Sequence, residues 1–403
     1  MPLASNIVVF GDSLSDIGQK WKTPTGRLGI MLKEMFVSPN GRYSDGGNWT
    51  DHMIEAASPV TLLKKTAEAT FKRSARHHGM RGSRSTIRGA RPFQYANYAM
   101  GAAVGDGQHF NKLASQMAFT SFKDQVDLFE QDIRKITGDL GNTLFIIWFG
   151  ANDLYTDGRP SNTMDSTVKA VIEQRNRLSR LMTSRNSPCQ FVNVGLLGPM
   201  TIVRYIRQLK EAVNAAVEAS NISLSEVLAT STWFTSQLEN AKKIQRALPV
   251  PRTARAFITL DKVIEDIDRC VIGADLYNAK LRLATETSGD AFADIAFHFN
   301  EAVIKHFVEF YPGALAVGAQ DSVAAHFSRD GYIKASKGMV PIATIDELHP
   351  TDPVYAQMWE VIFQAIRGTN WTFGDLDHRY ANNMLGDVAR AMPRPVGMMP
   401  PPI

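Results

Sequence analysis

The sequence predicts an α/β protein, a three-layer α/β/α sandwich around a central, mostly parallel sheet, with helical insertions. Three observations predict it. Short apolar runs at 7–10, 144–149 and 191–197 alternate with stretches of helical periodicity, the pattern of strands buried on both faces and covered by helices. Residues suited to chemistry follow two of these runs directly, and open parallel sheets bind ligands in the crevice beyond the carboxyl ends of their strands. With 403 residues, 44% hydrophobic and 21% charged, the chain is long enough for a large core, as one domain with insertions or as two.

In chain order, the first strand runs through Ile7 and Phe10 into Gly11-Asp12-Ser13 and so presents a serine at a strand end. An insertion at 59–94 follows. Between Lys72 and Arg91 it carries seven Lys or Arg (Lys72, Arg73, Arg76, Arg81, Arg84, Arg88, Arg91), with His77 and His78 and no acidic residue. Its Gly and Ser content reads as a mobile loop. Such a run is in the first place a solvated surface; an anionic membrane would gain on the order of 1 kcal/mol per basic residue near it. Nucleic acid is not expected as a partner, because no aromatics interleave the cations. Asn97-Tyr98-Ala99-Met100-Gly101-Ala102 comes next, a place where a backbone N–H can approach a ligand closely. The strand Leu144 to Phe149 runs into Gly150-Ala151-Asn152-Asp153, and residues 163–183 put Val168, Val171, Ile172, Leu178, Leu181 and Met182 on one helical stripe. After the strand at 191–197, residues 203–247 read as amphipathic helix and form either a cap over the crevice, within a 201–275 insertion, or a further helical layer. Asp346-Glu347-Leu348-His349 then sets an aspartate three residues before a histidine. Asp352 is placed to cap a closing helix with Pro353 at its first position and Val354, Met358, Trp359, Ile362, Phe363 and Ile366 inward, up to Gly368. Residues 1–368 are thus expected as the main domain and 369–403 as a C-terminal helix and tail, with five prolines between Met392 and Ile403.

Composition excludes several classes. A net charge of +4 makes no general case for nucleic acid. Cys189 and Cys270 are the only cysteines, too few for a disulfide framework or a Cys-rich zinc site. The nine histidines show no His-Glu-x-x-His spacing, and Gly101, Gly105 and Gly107 make a weak dinucleotide fingerprint, so neither metal nor cofactor is expected. No run reaches the roughly 18–20 apolar residues of a membrane span. The start, Met1 to Asn6, has no basic region and enters the first strand directly, so no Sec signal peptide is expected.

A serine hydroxyl is a poor nucleophile near neutral pH unless a base lies within hydrogen-bond reach, itself oriented by a carboxylate. Ser13, His349 and Asp346 are the candidates, with Asp352 as the other carboxylate near His349 and better suited to the helix start. Each alone has a plain alternative: Ser13 as a helix cap, Asn152 and Asp153 as turn residues, His349 as a loop histidine. Together and in this order, from residue 13 to residue 349, they resemble the GDSL esterases and lipases, also called SGNH hydrolases after four motif residues, Ser, Gly, Asn and His. The resemblance implies an SGNH, flavodoxin-like fold. It makes Ser13 the nucleophile, His349 the base and Asp346 its orienter. Gly101 and Asn152, with the Ser13 N–H, become the oxyanion donors. Asp12 and Asp153 then hold the turns. Gly41-Arg42-Tyr43-Ser44 is similar to the Gly-Arg-(Phe/Tyr)-Ser segment of the lipase branch that includes bacterial glycerophospholipid acyltransferases, and Tyr277-Asn278-Ala279-Lys280-Leu281 to the helix before a late strand. Ala102 departs from that branch, which often has a second glycine there, and 59–94 and 201–275 match no family motif.

The implied activity is serine ester hydrolysis, or acyl transfer to an alcohol, through an acyl-enzyme. Lipid is the first substrate expected, a carbohydrate O-acyl ester the second, and a non-catalytic binding module on the same fold the contrasting class. The expected location is the cytoplasm, or export by a signal-independent route of the bacterial-effector kind.

Overall fold

A computed structural model of the chain describes residues 2–20, 23, 38, 41–44, 46–57, 72–73, 83–87, 93–107, 120–155, 163–220, 237–248, 255–299 and 348–374. Asp346, Ser231–Thr235, 375–403 and most of 59–92 lie outside the described residues.

β1 (Asn6–Gly11) alternates its side chains as a strand must, and both sets are buried. Ile7 and Val9 enter one apolar core and Val8 and Phe10 the other. β5 (Thr143–Trp148) and β6 (Cys189–Val194) repeat the division, with Leu144, Ile146, Trp148, Val192 and Val194 on one face and Phe145, Ile147 and Phe191 on the other. Two-sided burial requires helices on both faces. α1 (Trp49–Ala57), α5 (Val203–Ser220), α6 (Gln237–Ala247) and α9 (Asp352–Gly368) supply the first core, and α2 (Phe122–Ile133) and α4 (Thr163–Ser184) the second. α7 (Arg255–Thr287) serves both: Phe257, Leu260, Ile264 and Ile267 join the first, Ala274, Tyr277 and Leu281 the second. Val203, Ile206, Leu209 and Ala212 of α5 bury in the same core as Trp148 and Val192, and α5 and α6 pack against α7 and against each other.

The remaining strands are β2 (Lys72–Arg73), β3 (Ser83–Ile87), β4 (Phe93–Asn97) and β7 (Ala291–Ala293); two short helices, α3 (Ala151–Leu154) and α8 (Ile295–His298), follow β5 and β7. Among the described residues the sheet runs β2-β3-β4-β1-β5-β6-β7. β4, β1, β5, β6 and β7 are parallel, while β3 pairs antiparallel with β4 and β2 with β3. Strand addition reverses direction between β1 and β5, and at such a switch point the loops leaving neighbouring strands part to open a crevice. Ser13 follows one of these strands and Gly150 the other.

The basic insertion departs from the expected loop. Part of it is a strand, because the free border of β4 offers a ladder of backbone partners and Ile87 has an apolar partner across it in Phe93, both 3% exposed. Thr86 and Gln94 add a side-chain pair at the next register position. The third apolar run, expected to reach residue 197, leaves the sheet at Val194, because the Leu196 N–H and C=O are taken by the Asn278 carboxamide at 2.7 and 3.0 Å. No helix among the described residues is long and apolar enough to cross a membrane.

Candidate active site

The turn after β1 is assembled from backbone outward. Gly11 closes the strand where a Cβ would lie 2.9 Å from both Ser15 Oγ and Trp148 O, so the position excludes a side chain. Gln125 of α2 grips the strand end from both sides: its Oε1 accepts the Gly11 N–H at 3.1 Å and its Nε2 donates to Gly11 O at 2.8 Å. α2 is itself started by a reciprocal cap, Ser121 accepting from the Asp124 N–H while the Asp124 carboxylate accepts from the Ser121 N–H. Asp12 Oδ1 accepts the Leu14 N–H at 3.0 Å and Asp12 O accepts the Ser15 N–H at 3.1 Å, which bends the chain so that Ser13 stands at its crest. Below it, the Asp16 carboxylate accepts four N–H groups, from Gly18, Gln19, Lys20 and Gly101, at 2.9, 2.6, 3.0 and 2.8 Å. Asn97 Nδ2 donates to Ser15 O at 3.0 Å and Trp49 Nε1 to Ser15 Oγ at 3.0 Å.

His349 arrives from the far end of the chain. Its Nε2 lies 2.8 Å from Ser13 Oγ, a hydrogen bond between side chains 336 residues apart. Tyr43 packs its ring against the imidazole, centroids 4.9 Å apart and planes at 34°, and Tyr43 O accepts the Tyr355 hydroxyl of α9 at 3.1 Å. The segment that carries Tyr43 is fixed in turn. Arg42 forks onto Asp51 with Nε–Oδ2 at 2.8 Å and Nη2–Oδ1 at 2.5 Å, and its Nη1 donates to Ile17 O at 3.2 Å. The Arg42 guanidinium outweighs burial and holds the Asp51 carboxyl below its ordinary range.

Asp352 stands elsewhere than expected. Thr351 is the residue before the helix and Asp352 its first, with Pro353 second; the Asp352 Oδ1 accepts the Gly47 N–H at 2.6 Å and lies 3.4 Å from His52 Nε2. Burial opposes charge on His52, but the Asp352 carboxylate prevails and raises its pKa to about 9. Asp352 therefore joins the loop that carries His349 to the 41–49 segment and α1. The inward stripe of α9 is as read from the sequence, Val354, Met358, Trp359, Ile362, Phe363 and Ile366 all being buried.

Of the expected oxyanion residues, Asn152 sits at the start of α3, and its Nδ2 donates to Ala103 O at 2.8 Å, which fixes the carboxamide. A carboxamide nitrogen carries two hydrogens. Gly150 before it has φ of +113°, and a Cβ there would press on the Tyr277 ring at 3.0 Å. Tyr277 also donates its hydroxyl to Phe149 O at 2.7 Å, giving the Tyr277–Leu281 segment a role in fixing this turn. Gly101 faces Tyr43, whose Oη would lie 2.3 Å from an added Cβ, but its N–H is already donated to Asp16. Ala102 takes the left-handed region at φ 64°, which accounts for glycine being frequent at that position in the lipase branch. Asp153 accepts the N–H groups of Gly105 at 2.7 Å and Asp106 at 3.0 Å and so shapes the turn beyond it.

Ser13, His349, Asn152 and Gly101 thus share one sheet end, and the first two are in contact; Asp346 lies outside the described residues. Reading the sequence passes over Asp16, although Asp two residues before Gly18 (φ 97°) is a turn signal. Gln125 carries no such signal. Among the described residues no group of three or more His, Cys, Asp or Glu could hold a metal ion.

A profile of the family described as GDSL-like Lipase/Acylhydrolase matches residues 7–362. No relative was found among curated proteins. Similar solved structures include a putative GDSL-like lipase from Parabacteroides merdae (10% identity, TM-score 0.33, covering 92% of this chain and 98% of that one). Another is the extracellular lipase of Streptomyces rimosus (12% identity, TM-score 0.31, 90% and 100%). A third is LAE5, an alpha/beta hydrolase enzyme from the metagenome of Lake Arreo in Spain (11% identity, TM-score 0.33, 92% and 97%). At these scores the structural likenesses carry no weight for the activity.

Proposed function

The chain belongs to the GDSL-like lipase/acylhydrolase family, and from that premise we propose that it is a serine esterase of acyl lipids, working through Ser13, His349 and Asp346 by way of an acyl-enzyme. Membership carries ester hydrolysis in general. The single observation that supports the finer reading is the 2.8 Å contact between Ser13 Oγ and His349 Nε2, the geometry of a hydroxyl and its base. In this reading Ser13 attacks the ester carbonyl while His349 takes its proton, and Asp346 orients the imidazole. His349 then returns the proton to the leaving alcohol, and water, or a second alcohol in acyl transfer, releases the acyl group.

Negative charge on the carbonyl oxygen is met by the Ser13 N–H and the Asn152 carboxamide, each donor worth roughly 3–4 kcal/mol of barrier. Gly101 is the third donor, and its N–H would have to be shared with Asp16. Lipid is favoured by the Gly41–Ser44 segment, whose Tyr43 lies against the base. The cations between Lys72 and Arg91 would bring the crevice to an anionic membrane surface.

Purified protein assayed on p-nitrophenyl esters of graded acyl length tests the reading. Long-chain preference, loss of at least about a thousandfold in Ser13→Ala and fluorophosphonate labelling of Ser13 alone are expected. Preference for acetyl would point to a sugar ester, label on another serine would remove Ser13, and no turnover of any ester would leave a binding module. Replacing Arg76, Arg81, Arg84 and Arg88 with serine is expected to weaken binding to anionic liposomes and spare hydrolysis of a short soluble ester. Liposome binding that ignored both this change and added salt would leave the segment a solvated surface.

A further inference from the structure

The segments that leave β1, β5 and β6 at the carboxyl end of the sheet bury most of their large apolar side chains, Ile17, Leu154, Leu196, Met200 and Ile202 among them. Four others are only partly buried: Leu14, directly after Ser13; Tyr155, three residues after Asn152; Leu197, three residues beyond β6; and Tyr205, in the first turn of α5. Three of the four are tied together. The Tyr155 hydroxyl donates to Leu197 O, and the Tyr155 and Tyr205 rings lie with centroids 5.5 Å apart and planes at 47°. The Cys270 thiol of α7 donates to the Tyr205 hydroxyl at 3.9 Å.

Neighbouring strands are about 4.8 Å apart, so two spacings carry this partly open apolar surface roughly 10 Å from β1 to β6. The opposite direction differs. Beyond β4, Tyr98 and Met100 are buried, and so is Tyr43 beside His349. Gly198, next to Leu197, has φ −72° and ψ 149°, a conformation open to any residue. Among the described residues nothing lies within 4 Å of where its Cβ would stand. Neither strain nor crowding calls for glycine there, and glycine costs conformational entropy on folding. What its missing side chain provides is room beside Leu197.

We propose that the acyl chain of the substrate runs from Ser13 across the ends of β5 and β6, over Leu14, Leu197 and the Tyr155–Tyr205 ring pair, and that Gly198 keeps this lane open. The inference rests on the reading of the protein as an esterase of acyl lipids with Ser13 as nucleophile, and it states where that substrate lies. Each methylene laid on the lane leaves water and adds to binding, whereas an acetyl group is too short to reach along it. These residues meet the part of the substrate that does not react. They determine specificity and are not catalytic.

The test is Gly198→Leu, read as the ratio of kcat/KM for p-nitrophenyl dodecanoate to that for p-nitrophenyl acetate. The ratio should fall at least about tenfold, chiefly through KM for the long ester. General damage to the fold lowers both esters together and leaves the ratio in place. Leu197→Ala keeps the carbonyl that holds Tyr155 and should lower the ratio about three- to tenfold; it decides the matter should Gly198→Leu not fold. A ratio within about twofold of wild type in the folded variant would overturn the inference. The failures separate. A wild type that prefers acetate, or a Ser13→Ala variant that stays active, removes the acyl-lipid reading and the inference with it. A wild type that prefers dodecanoate, with Ser13→Ala inactive and the ratio unmoved, removes the inference alone.

Discussion

Ser13 and His349 are held in opposite ways. The turn from Gly11 to Lys20 is fixed from beneath by buried polar groups, Asp16, Gln125 and Asn97, that bond its backbone directly. His349 is held from the side, by an aromatic face and by α9, whose first residue ties it to Gly47 and His52 about three hundred residues away in sequence. The difference teaches that the serine owes its position to local backbone satisfaction and the histidine to long-range side-chain contacts. Damage to the first should cost folding and activity together, whereas loss of the aromatic face at His349 should cost mainly activity.

The largest effect should come from Asp16→Ala. It leaves four buried N–H groups without their acceptor, and several unsatisfied donors together should cost about 3–5 kcal/mol of stability in denaturant unfolding, with turnover falling in parallel. A loss below about 1 kcal/mol would break the comparison, because the turn would not depend on its carboxylate. Next is Tyr43→Ala, which frees one side of the imidazole and should lower kcat/KM by roughly ten- to a hundredfold through misplacement of His349. Tyr43→Phe keeps the ring and should stay within about threefold. Equal losses in the two would shift the role from the ring face to the hydroxyl.

Asp352→Ala sharpens the comparison through pH. The His52 pKa is raised above its ordinary 6.5 to about 9, so what the ion pair contributes is complete below 6.5 and disappears as the pH rises through 9. Wild type should therefore exceed the variant by on the order of 1–3 kcal/mol at the acid end of that window, and the gap should narrow towards its alkaline end. It should not close, because Gly47 keeps no acceptor in the variant. A gap constant with pH would remove the ion pair from the account. The smallest effect is Ala102→Gly. Relief of the left-handed alanine gains about 1–2 kcal/mol, and the greater freedom of glycine in the unfolded chain returns most of it. Thermal melts should show a net change of about 0 to +1 kcal/mol, and a clear destabilisation would show that the methyl group packs usefully.

The sheet was legible wherever a strand is apolar on both faces. β1, β5 and the helix at 163–184 lie within a residue or two of their expected ends, since Ile7 to Phe10 and Val168 to Met182 are committed to the core by periodicity alone. Ser13 and His349 were legible from motif and order, although nothing in either segment reports that they touch. β3 was not legible: arginines, serines and a glycine nearby read as loop, and only the border of β4 makes a strand of them. Asp352 escaped for a related reason. A carboxylate before a proline at a helix start reads as a cap, and the competing partners, Gly47 and His52, are brought to it only by the fold. The parts the sequence hid are those decided by a tertiary neighbour rather than by local preference.

The antiparallel ribbon has one more effect. Strand borders expose rows of N–H and C=O groups on which strands of other molecules can form, and long borders invite such joining. Had the sheet ended at β4, it would offer the five residues Phe93–Asn97; with the ribbon it ends, among the described residues, at one side on Lys72–Arg73 and at the other on Ala291–Ala293. Two residues, both cationic, and three residues give a foreign strand little length to grip. A stretch first noticed for its charge thus also makes a short cationic border among the described residues, the kind of edge that discourages strand-to-strand joining between copies.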